Sequence, residues 1–161
     1  MIKRFFKGIA NLRPSQPKYN STWDPHCVLR YLCSQSSTTS LTFDELSKKL
    51  IILLALVTGQ RLQTLQLIKL ENIHKTSSEI TIFIPDRVKT SGRGKVQPLL
   101  VLPFYTEPQI CAARTLRHYL KITKPLRGTI KNLFISTCPP THAITTQTLS
   151  RWVRQTLDAS G

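Results

Sequence analysis

Acidic residues are scarce in this chain. Aspartate and glutamate together number 8, whereas lysine and arginine number 23, so the 161 residues carry a formal net charge of +15. So few carboxylates argue against a magnesium cluster for two-metal phosphoryl transfer. A folded domain with this imbalance repels itself unless it binds a polyanion. Because the basic residues are spread along the chain and not gathered beside an apolar anchor, we expect a nucleic acid as the partner and no membrane.

Cysteines and long apolar runs are also sparse. The four cysteines form no C-x-x-C pair and show no paired histidine spacing, which predicts reduced intracellular thiols without a disulfide framework or a zinc site. The longest unbroken apolar run, residues 50–57, is far shorter than a membrane span. Residues 1–10 are too basic, and their apolar segment is too brief, for a secretory signal. These absences favour an intracellular protein.

The first 23 residues differ in composition from the rest of the chain. They contain five basic residues and no acidic residue, and Pro14 and Pro17 interrupt any long helix. A mobile basic arm, a mitochondrial presequence and a linker that follows a phosphate backbone all fit this segment. We therefore divide the chain into a basic arm at residues 1–23 and one domain at residues 24–161.

Two helix starts are marked by capping residues. Asp24 is a suitable N-cap and is followed by a proline, which predicts a short helix over residues 23–34. Thr42 and Glu45 have the spacing of a capping box, which predicts a helix over residues 43–57.

A glycine and an arginine follow this apolar helix. Gly59 can end the helix in the left-handed conformation, and Arg61 then lies at the start of a second helix. The free N–H groups of a helix start and a guanidinium both favour a bound anion. On this stretch alone, an arginine that is merely solvated or ion-paired is the alternative interpretation.

The middle of the chain has the pattern of a β-hairpin. Residues 80–84 alternate β-branched and aromatic side chains, and residues 96–102 are a second strand candidate. The connecting residues 85–95 include glycines and four cations, which are Arg87, Lys89, Arg93 and Lys95. The pattern predicts a hairpin with a basic tip, and a solvated charged turn is the alternative.

Two further helices, over residues 108–123 and 145–158, and a short strand over residues 133–135 are predicted in the C-terminal part. The first of these helices carries a basic stripe at helical spacing, consisting of Arg114, Arg117, His118 and Lys121. Such a stripe is usually only a solvated face. Arg151 and Arg154 fall on the polar side of the last helix. The mixture of helices and hairpin strands predicts an α+β fold.

The order of these pieces resembles one family. Thr58-Gly59-Gln60-Arg61 is similar to the first arginine box of the tyrosine recombinases, also called phage integrases. Residues 80–102 resemble the family's β-hairpin, whose turn carries a catalytic lysine. Arg151-Trp152-Val153-Arg154 resembles the helix before the family's second box. The resemblance extends from about Leu12 to the C-terminus, and within the family it is to the type carried by eukaryotic DIRS-like retrotransposons.

This resemblance implies a fold and a chemistry. The expected fold is part of a mainly helical catalytic domain with a small antiparallel hairpin sheet. Recombinases of this family attack a DNA phosphate with a tyrosine hydroxyl, without a metal or nucleotide cofactor. Arg61 would bind the scissile phosphate, and Lys89 would protonate the departing 5′-oxygen, with Lys95 as the other candidate for this acid. The remaining expected DNA contacts are Arg87, Arg93, Arg151 and Arg154.

The resemblance also has gaps. The family's second box and nucleophilic tyrosine come after the helix predicted at residues 145–158, and this sequence ends at Gly161. The four tyrosines, Tyr19, Tyr31, Tyr105 and Tyr119, all precede that position. We therefore expect the first two thirds of a catalytic domain, inactive alone and marginally stable because core surface is left uncovered.

The sequence also fits other functions. A non-enzymatic DNA-binding module derived from a mobile element is the main alternative, and an RNA-binding or mitochondrial basic protein is a third. The recombinase hypothesis favours a nuclear over a cytoplasmic location and implies homo-multimers on DNA.

Overall fold

A computed structural model describes residues 24–86 and 97–161 of the chain. This part contains five α-helices and one three-stranded antiparallel sheet. The helices are α1 (Pro25–Ser34), α2 (Phe43–Thr58), α3 (Leu62–Gln66), α4 (Ala112–Thr123) and α5 (Thr146–Ser160). The strands are β1 (Ile73–Lys75), β2 (Glu79–Phe83) and β3 (Leu99–Pro103). The predicted α+β fold is confirmed, and the predicted arm at residues 1–23 lies outside the described residues.

The capping signals place the first two helices where the sequence predicts them. The Asp24 carboxylate accepts a hydrogen bond from the His26 N–H at 2.9 Å. At the start of α2, the Thr42 hydroxyl accepts from the Glu45 N–H, and the Glu45 carboxylate accepts from the Thr42 N–H at 2.9 Å. The Thr42 hydroxyl also donates to the Glu45 carboxylate at 2.7 Å. This hydrogen bond most of all, and next the one from the Thr42 N–H, lowers the pKa of the Glu45 carboxyl. The reciprocal bonds satisfy N–H groups that have no partner within the helix.

Helix α2 is the centre of the fold. It packs against α4 and α5, and α5 also packs against α1 and α3. Its fully or nearly fully buried apolar residues are Leu46, Leu50, Ile51, Ile52, Leu53 and Leu54. Lys49 is buried with them, and its ammonium donates to the Leu32 carbonyl of α1 at 3.0 Å. Burial lowers the pKa of Lys49, and the nearby Cys33 acts in the opposite direction.

The sheet has one strand more than the predicted hairpin. β2 pairs with β3, as expected for a hairpin, and also with the short strand β1 on its other side. β1 has only three residues and leaves His74 and Lys75 exposed, so it shows no alternation of the kind that predicts a strand. The second hairpin strand is β3, whose pairing begins at Leu99; the predicted start of this strand at residue 96 lies outside the described residues.

Two other predictions are corrected by the structure. Residues 108–123 do not form one α-helix. A 3₁₀ turn at Pro108–Ile110 comes first, and α4 begins after Cys111, which is the N-cap of α4. Residues 133–135 are buried but form no strand. The pairing in this region consists of two isolated β-bridges, Lys69 with Asn132 and Ile135 with Ala143, and not of a continuous ladder. A short apolar run does not distinguish a strand from a buried connection.

Arg127 holds this buried connection in place. The guanidinium is 6% exposed and donates to the Asn132 carbonyl at 2.7 Å, the Leu133 carbonyl at 3.2 Å and the Thr123 hydroxyl. One planar side chain thus ties the end of α4 to the segment that follows it. Its fork geometry suits several acceptors in fixed directions, which a lysine does not reproduce.

None of the described helices is both long enough and apolar enough to cross a membrane.

Removal of the capping hydroxyl tests the start of α2. Thr42→Ala is expected to lower the free energy of unfolding by about 1 kcal/mol near neutral pH, because two hydrogen bonds at the helix start are lost. The pKa of Glu45 is lower in the folded state than its usual value of 4.5. The contribution of the Glu45 carboxylate to the free energy of unfolding is therefore fully present above pH 4.5, and it is lost as the pH falls through the folded-state pKa. The difference between wild type and variant in urea unfolding should therefore shrink in acid. Thr106→Ala, at an exposed turn, is the control and should show no such dependence.

Substitution of Arg127 tests whether this arginine is structural. Arg127→Ala removes the donor from three oxygens, those of Thr123 and Leu133 buried and that of Asn132 partly buried, so the free energy of unfolding should fall by about 3 kcal/mol. Lys124→Ala removes an exposed charge three residues earlier and should change stability by less than about 0.5 kcal/mol. Equal effects of the two substitutions in chemical denaturation would contradict the structural role.

Candidate nucleic-acid interface

The corner at residues 58–61 has the predicted backbone. Gly59 adopts φ 61° and ψ 14°, and its N–H donates to the Ala55 carbonyl at 3.0 Å, which ends α2 in the left-handed conformation. The Thr58 hydroxyl donates to the Leu54 carbonyl at 2.7 Å and accepts from the Gln60 N–H at 3.4 Å. The corner is therefore held by hydrogen bonds on both sides of the glycine.

Arg61 leaves this corner as the N-cap of α3. Its backbone carbonyl accepts from the N–H groups of Thr64 and Leu65, at 2.8 and 3.1 Å. The side chain is exposed and makes no hydrogen bond or ion pair with any residue in the described part of the chain. The ion-paired alternative is therefore not seen among these residues, and the guanidinium can reach an external anion.

The helix that follows Arg61 is shorter than the sequence suggests. α3 has five residues, a little more than one turn, so its dipole adds little to the attraction for an anion. The positive charge at this corner is mainly that of Arg61 itself.

α3 is fixed to the last helix. Thr64 and Leu65 are buried, α3 packs against α5, and the Gln66 amide donates to the Ile144 carbonyl at 3.3 Å, just before α5 begins. The element that carries Arg61 is thereby joined to the element that carries Arg151 and Arg154.

The base of the hairpin lies beside the segment that follows α3. The Lys69 ammonium forms an ion pair with the Asp86 carboxylate at 3.2 Å. Across the hairpin, the Ile84 N–H donates to the Pro98 carbonyl at 3.0 Å. The predicted tip residues Arg87, Lys89, Arg93 and Lys95 lie outside the described residues.

Arg151 and Arg154 share one surface of α5. Both are exposed and lie together with four polar residues of the same helix, which are Gln147, Thr148, Ser150 and Gln155. The opposite side of α5 is buried through Leu149, Trp152 and Thr156. This surface offers two cations and several hydrogen-bonding groups, which suits phosphate oxygens.

The described tyrosines are poor nucleophiles or lie elsewhere. Tyr119 is fully buried, its hydroxyl accepts from the Ile135 N–H at 3.3 Å, and burial raises its pKa. Tyr31 is half-buried and Tyr105 is exposed, but neither lies on α3 or α5. Arg127 is also no candidate for a phosphate contact, because its guanidinium is committed to the buried connection.

Sequence reasoning missed one grouping, the concave site formed by the basic stripe of α4 with residues 37–39. The stripe itself was visible in the helical spacing of Arg114, Arg117 and Lys121. The contribution of the serine- and threonine-rich loop was not visible in the sequence, because no local pattern indicates which distant segment will cover a helix face.

Solved recombinase structures contain the fold of this chain. XerA recombinase matches 99% of this chain with a TM-score of 0.60 and 20% sequence identity. A lambda integrase dimer bound to a COC′ core site matches 99% of this chain with a TM-score of 0.52 and 17% identity. No family model and no curated protein matches the sequence.

The chain spans about half the length of these structures, 52% of the XerA chain and 54% of the lambda integrase chain. At these identities the likeness establishes the fold, and it agrees with the partial catalytic-domain fold predicted from the sequence. This chain therefore shares its fold with about half of each of these two recombinases.

Proposed function

We propose that this chain is the DNA-binding part of a tyrosine recombinase catalytic domain. The observation that carries the proposal is Arg61, which is exposed and unpaired within the described residues, at a helix corner of the kind the family's first arginine box occupies. The fold shared with XerA recombinase and lambda integrase supports it independently of that motif.

The proposed chemistry belongs to the full-length protein. A tyrosine hydroxyl attacks the phosphorus, the bond from phosphorus to the 5′-oxygen breaks, and a 3′-phosphotyrosyl link and a free 5′-hydroxyl result. Arg61 binds a non-bridging oxygen and stabilises the charge that develops in the transition state. Lys89 gives its proton to the departing 5′-oxygen, with Lys95 as the other candidate. The set needs neither a metal nor a nucleotide cofactor.

The DNA contacts of the proposal extend beyond Arg61. Arg151 and Arg154 bind backbone phosphates from the exposed side of α5, and Arg87 and Arg93 do so from the hairpin. The packing of α3 against α5 fixes the position of Arg61 relative to the α5 arginines. The lambda integrase neighbour is a dimer on its core site, which supports DNA as the partner and homo-multimers as the working assembly here.

The biological setting is part of the proposal. The motif order is similar to the recombinases of DIRS-like retrotransposons, so the chain is assigned to DNA integration and recombination of a mobile element. This role requires access to chromosomal DNA, and a tagged chain is therefore expected in the nucleus.

A non-enzymatic DNA-binding module is the second candidate. It is favoured by the charge of +15 and by the exposed arginines of α5, which bind phosphates whether or not a nucleophile is present. It differs from the first candidate in one testable respect, since it forms no covalent link to DNA.

Salt dependence tests the DNA-binding surface. The affinity of the chain for duplex DNA should fall steeply with salt, because bound phosphates release their counterions. Arg61→Ala should reduce the slope of log K against log salt by about one unit, which corresponds to one lost phosphate contact. Lys75→Ala removes the same charge from an exposed position on β1 and should leave the slope unchanged. A flat salt titration of the wild-type chain would exclude both candidates.

Covalent trapping separates the two candidates. The chain extended through its downstream reading frame is incubated with nicked DNA that carries element ends, and adducts are resolved under denaturing conditions. The recombinase hypothesis predicts a 3′-phosphotyrosyl adduct whose rate of formation falls by about 10³-fold in Arg61→Ala. The 161-residue chain should form none. If the extended protein binds the same DNA but yields no adduct, the non-enzymatic module is the correct function.

A further inference from the structure

A concave site lies between the polar loop that precedes α2 and the basic face of α4. Its volume is about 590 Å³. The lining residues come from the loop, from the turn before α4 and from the stripe on α4: Ser37, Thr38, Thr39, Glu107, Pro108, Gln109, Arg114, Arg117, His118 and Lys121. We call it the α4 hollow. It shares no lining residue with the surface of Arg151 and Arg154, and Arg61 is not part of it.

The α4 hollow has an excess of positive charge. Arg114, Arg117 and Lys121 are all exposed, and the ion pairs among the described residues involve none of them. Glu107 supplies one carboxylate to the lining and is likewise outside those ion pairs. Three cations and one carboxylate leave two positive charges without a counter-charge from the described residues.

The cationic wall is partly fixed before any ligand arrives. The Arg117 guanidinium lies over the Phe104 ring, 5.2 Å from its centroid, which restricts the side chain. Arg114 and Lys121 lie on the same side of α4, whose other side is buried through residues such as Ala113 and Leu116. A wall held in this way loses less conformational entropy when it binds an anion.

The opposite wall offers hydroxyl groups. The loop is closed by its own hydrogen bonds, since the Ser40 N–H donates to the Ser37 carbonyl at 2.9 Å and the Ser37 and Thr39 hydroxyls lie 3.1 Å apart. The half-buried Thr38 hydroxyl forms no hydrogen bond with the described residues. It is therefore available as a donor to a ligand in the α4 hollow.

His118 adds a second unused polar group. Its Nε2 is buried and has no hydrogen-bond partner in the described part of the chain. Burial, and next the charge of Lys121, lower the pKa of His118, so the ring is neutral near pH 7. A buried ring nitrogen without a partner costs free energy that an occupant of the hollow can recover by hydrogen bonding.

We propose that the α4 hollow binds a phosphate monoester carried on a group of nucleotide size. A monoester has close to two negative charges near neutral pH, which matches the unbalanced charge of the lining, and its three terminal oxygens can be shared among the cations and the Thr38 hydroxyl. The volume lies in the range typical of small-molecule sites and exceeds what a phosphate alone requires. Pro108 and the aliphatic parts of the stripe provide an apolar wall for the attached group.

This chemistry has two possible sources, a free mononucleotide and the 5′-phosphorylated end of a nucleic-acid strand. The inference does not rest on the proposed function, because neither Arg61 nor α5 contributes to the α4 hollow.

Titration of the full chain with deoxyadenosine 5′-monophosphate, followed by amide NMR, tests the site. The resonances of Thr38, His118 and Lys121 should shift with saturation, whereas deoxyadenosine without the phosphate should leave them unchanged. Shifts centred on Arg61 or α5, or equal shifts with the nucleoside, would overturn the proposal. This measurement uses the wild-type chain and does not depend on the folding of any variant.

Paired substitutions identify the residues responsible. Arg114→Ala with Lys121→Ala should weaken mononucleotide binding by about tenfold or more, because two charge-assisted hydrogen bonds are lost. Lys75→Ala with Lys131→Ala removes the same net charge from exposed positions outside the hollow and should change this affinity little. Equal losses in the two double variants would show that only the overall charge matters, which would contradict a defined site.

Matched oligonucleotides distinguish the two sources. If a 5′-phosphorylated single strand binds more tightly than the same strand with a 5′-hydroxyl, and the Arg114 and Lys121 double variant removes that advantage, strand ends occupy the site. If the mononucleotide binds through these residues but the strands do not differ, the free nucleotide is the ligand. A reduced salt slope of duplex binding in Arg61→Ala, without any change in mononucleotide binding, separates this proposal from the proposed function.

Discussion

The burial of α2 is the constraint on which the rest of the structure depends. This helix presents apolar side chains to α4 on one side and to α5 on another, so no single neighbour can cover it. Its start is fixed by the capping box and its end by the left-handed Gly59. Because both ends are defined, the direction in which the chain leaves toward Arg61 is defined too. The candidate DNA-binding corner is thus a by-product of how the core helix stops.

Most of the few carboxylates stabilise the fold. Of the 8 acidic residues, five serve the described fold directly: Asp24 and Glu45 as helix caps, and Asp44, Glu71 and Asp86 in ion pairs with lysines. Little negative charge then remains to neutralise the arginines on the surface. The same scarcity that defines the composition therefore leaves Arg61, the α5 arginines and the α4 stripe able to bind external phosphates.

Local signals in the sequence predicted the parts of this fold that local physics determines. Capping residues marked the start of α2, and a glycine marked its end, because both act within one helical turn. Strand β1 was not predicted, since its residues show no alternation and are recruited by pairing with β2. Residues 133–135 were misassigned because burial alone does not reveal where backbone hydrogen bonds go. Arg61 could be identified from its position, whereas the α4 hollow depends on two segments that only the tertiary fold brings together.

The long-range contacts of α5 have a consequence for synthesis. α1, α2 and α3 all contact α5, and the Gln66 amide and the Asp44 carboxylate each bond to residues beyond position 136. Such long-range contacts slow folding and delay it until late segments are available. On the ribosome, the face of α2 that packs against α5 therefore stays uncovered until Thr146–Ser160 has emerged. A nascent chain should bind chaperones through this exposed apolar face until then.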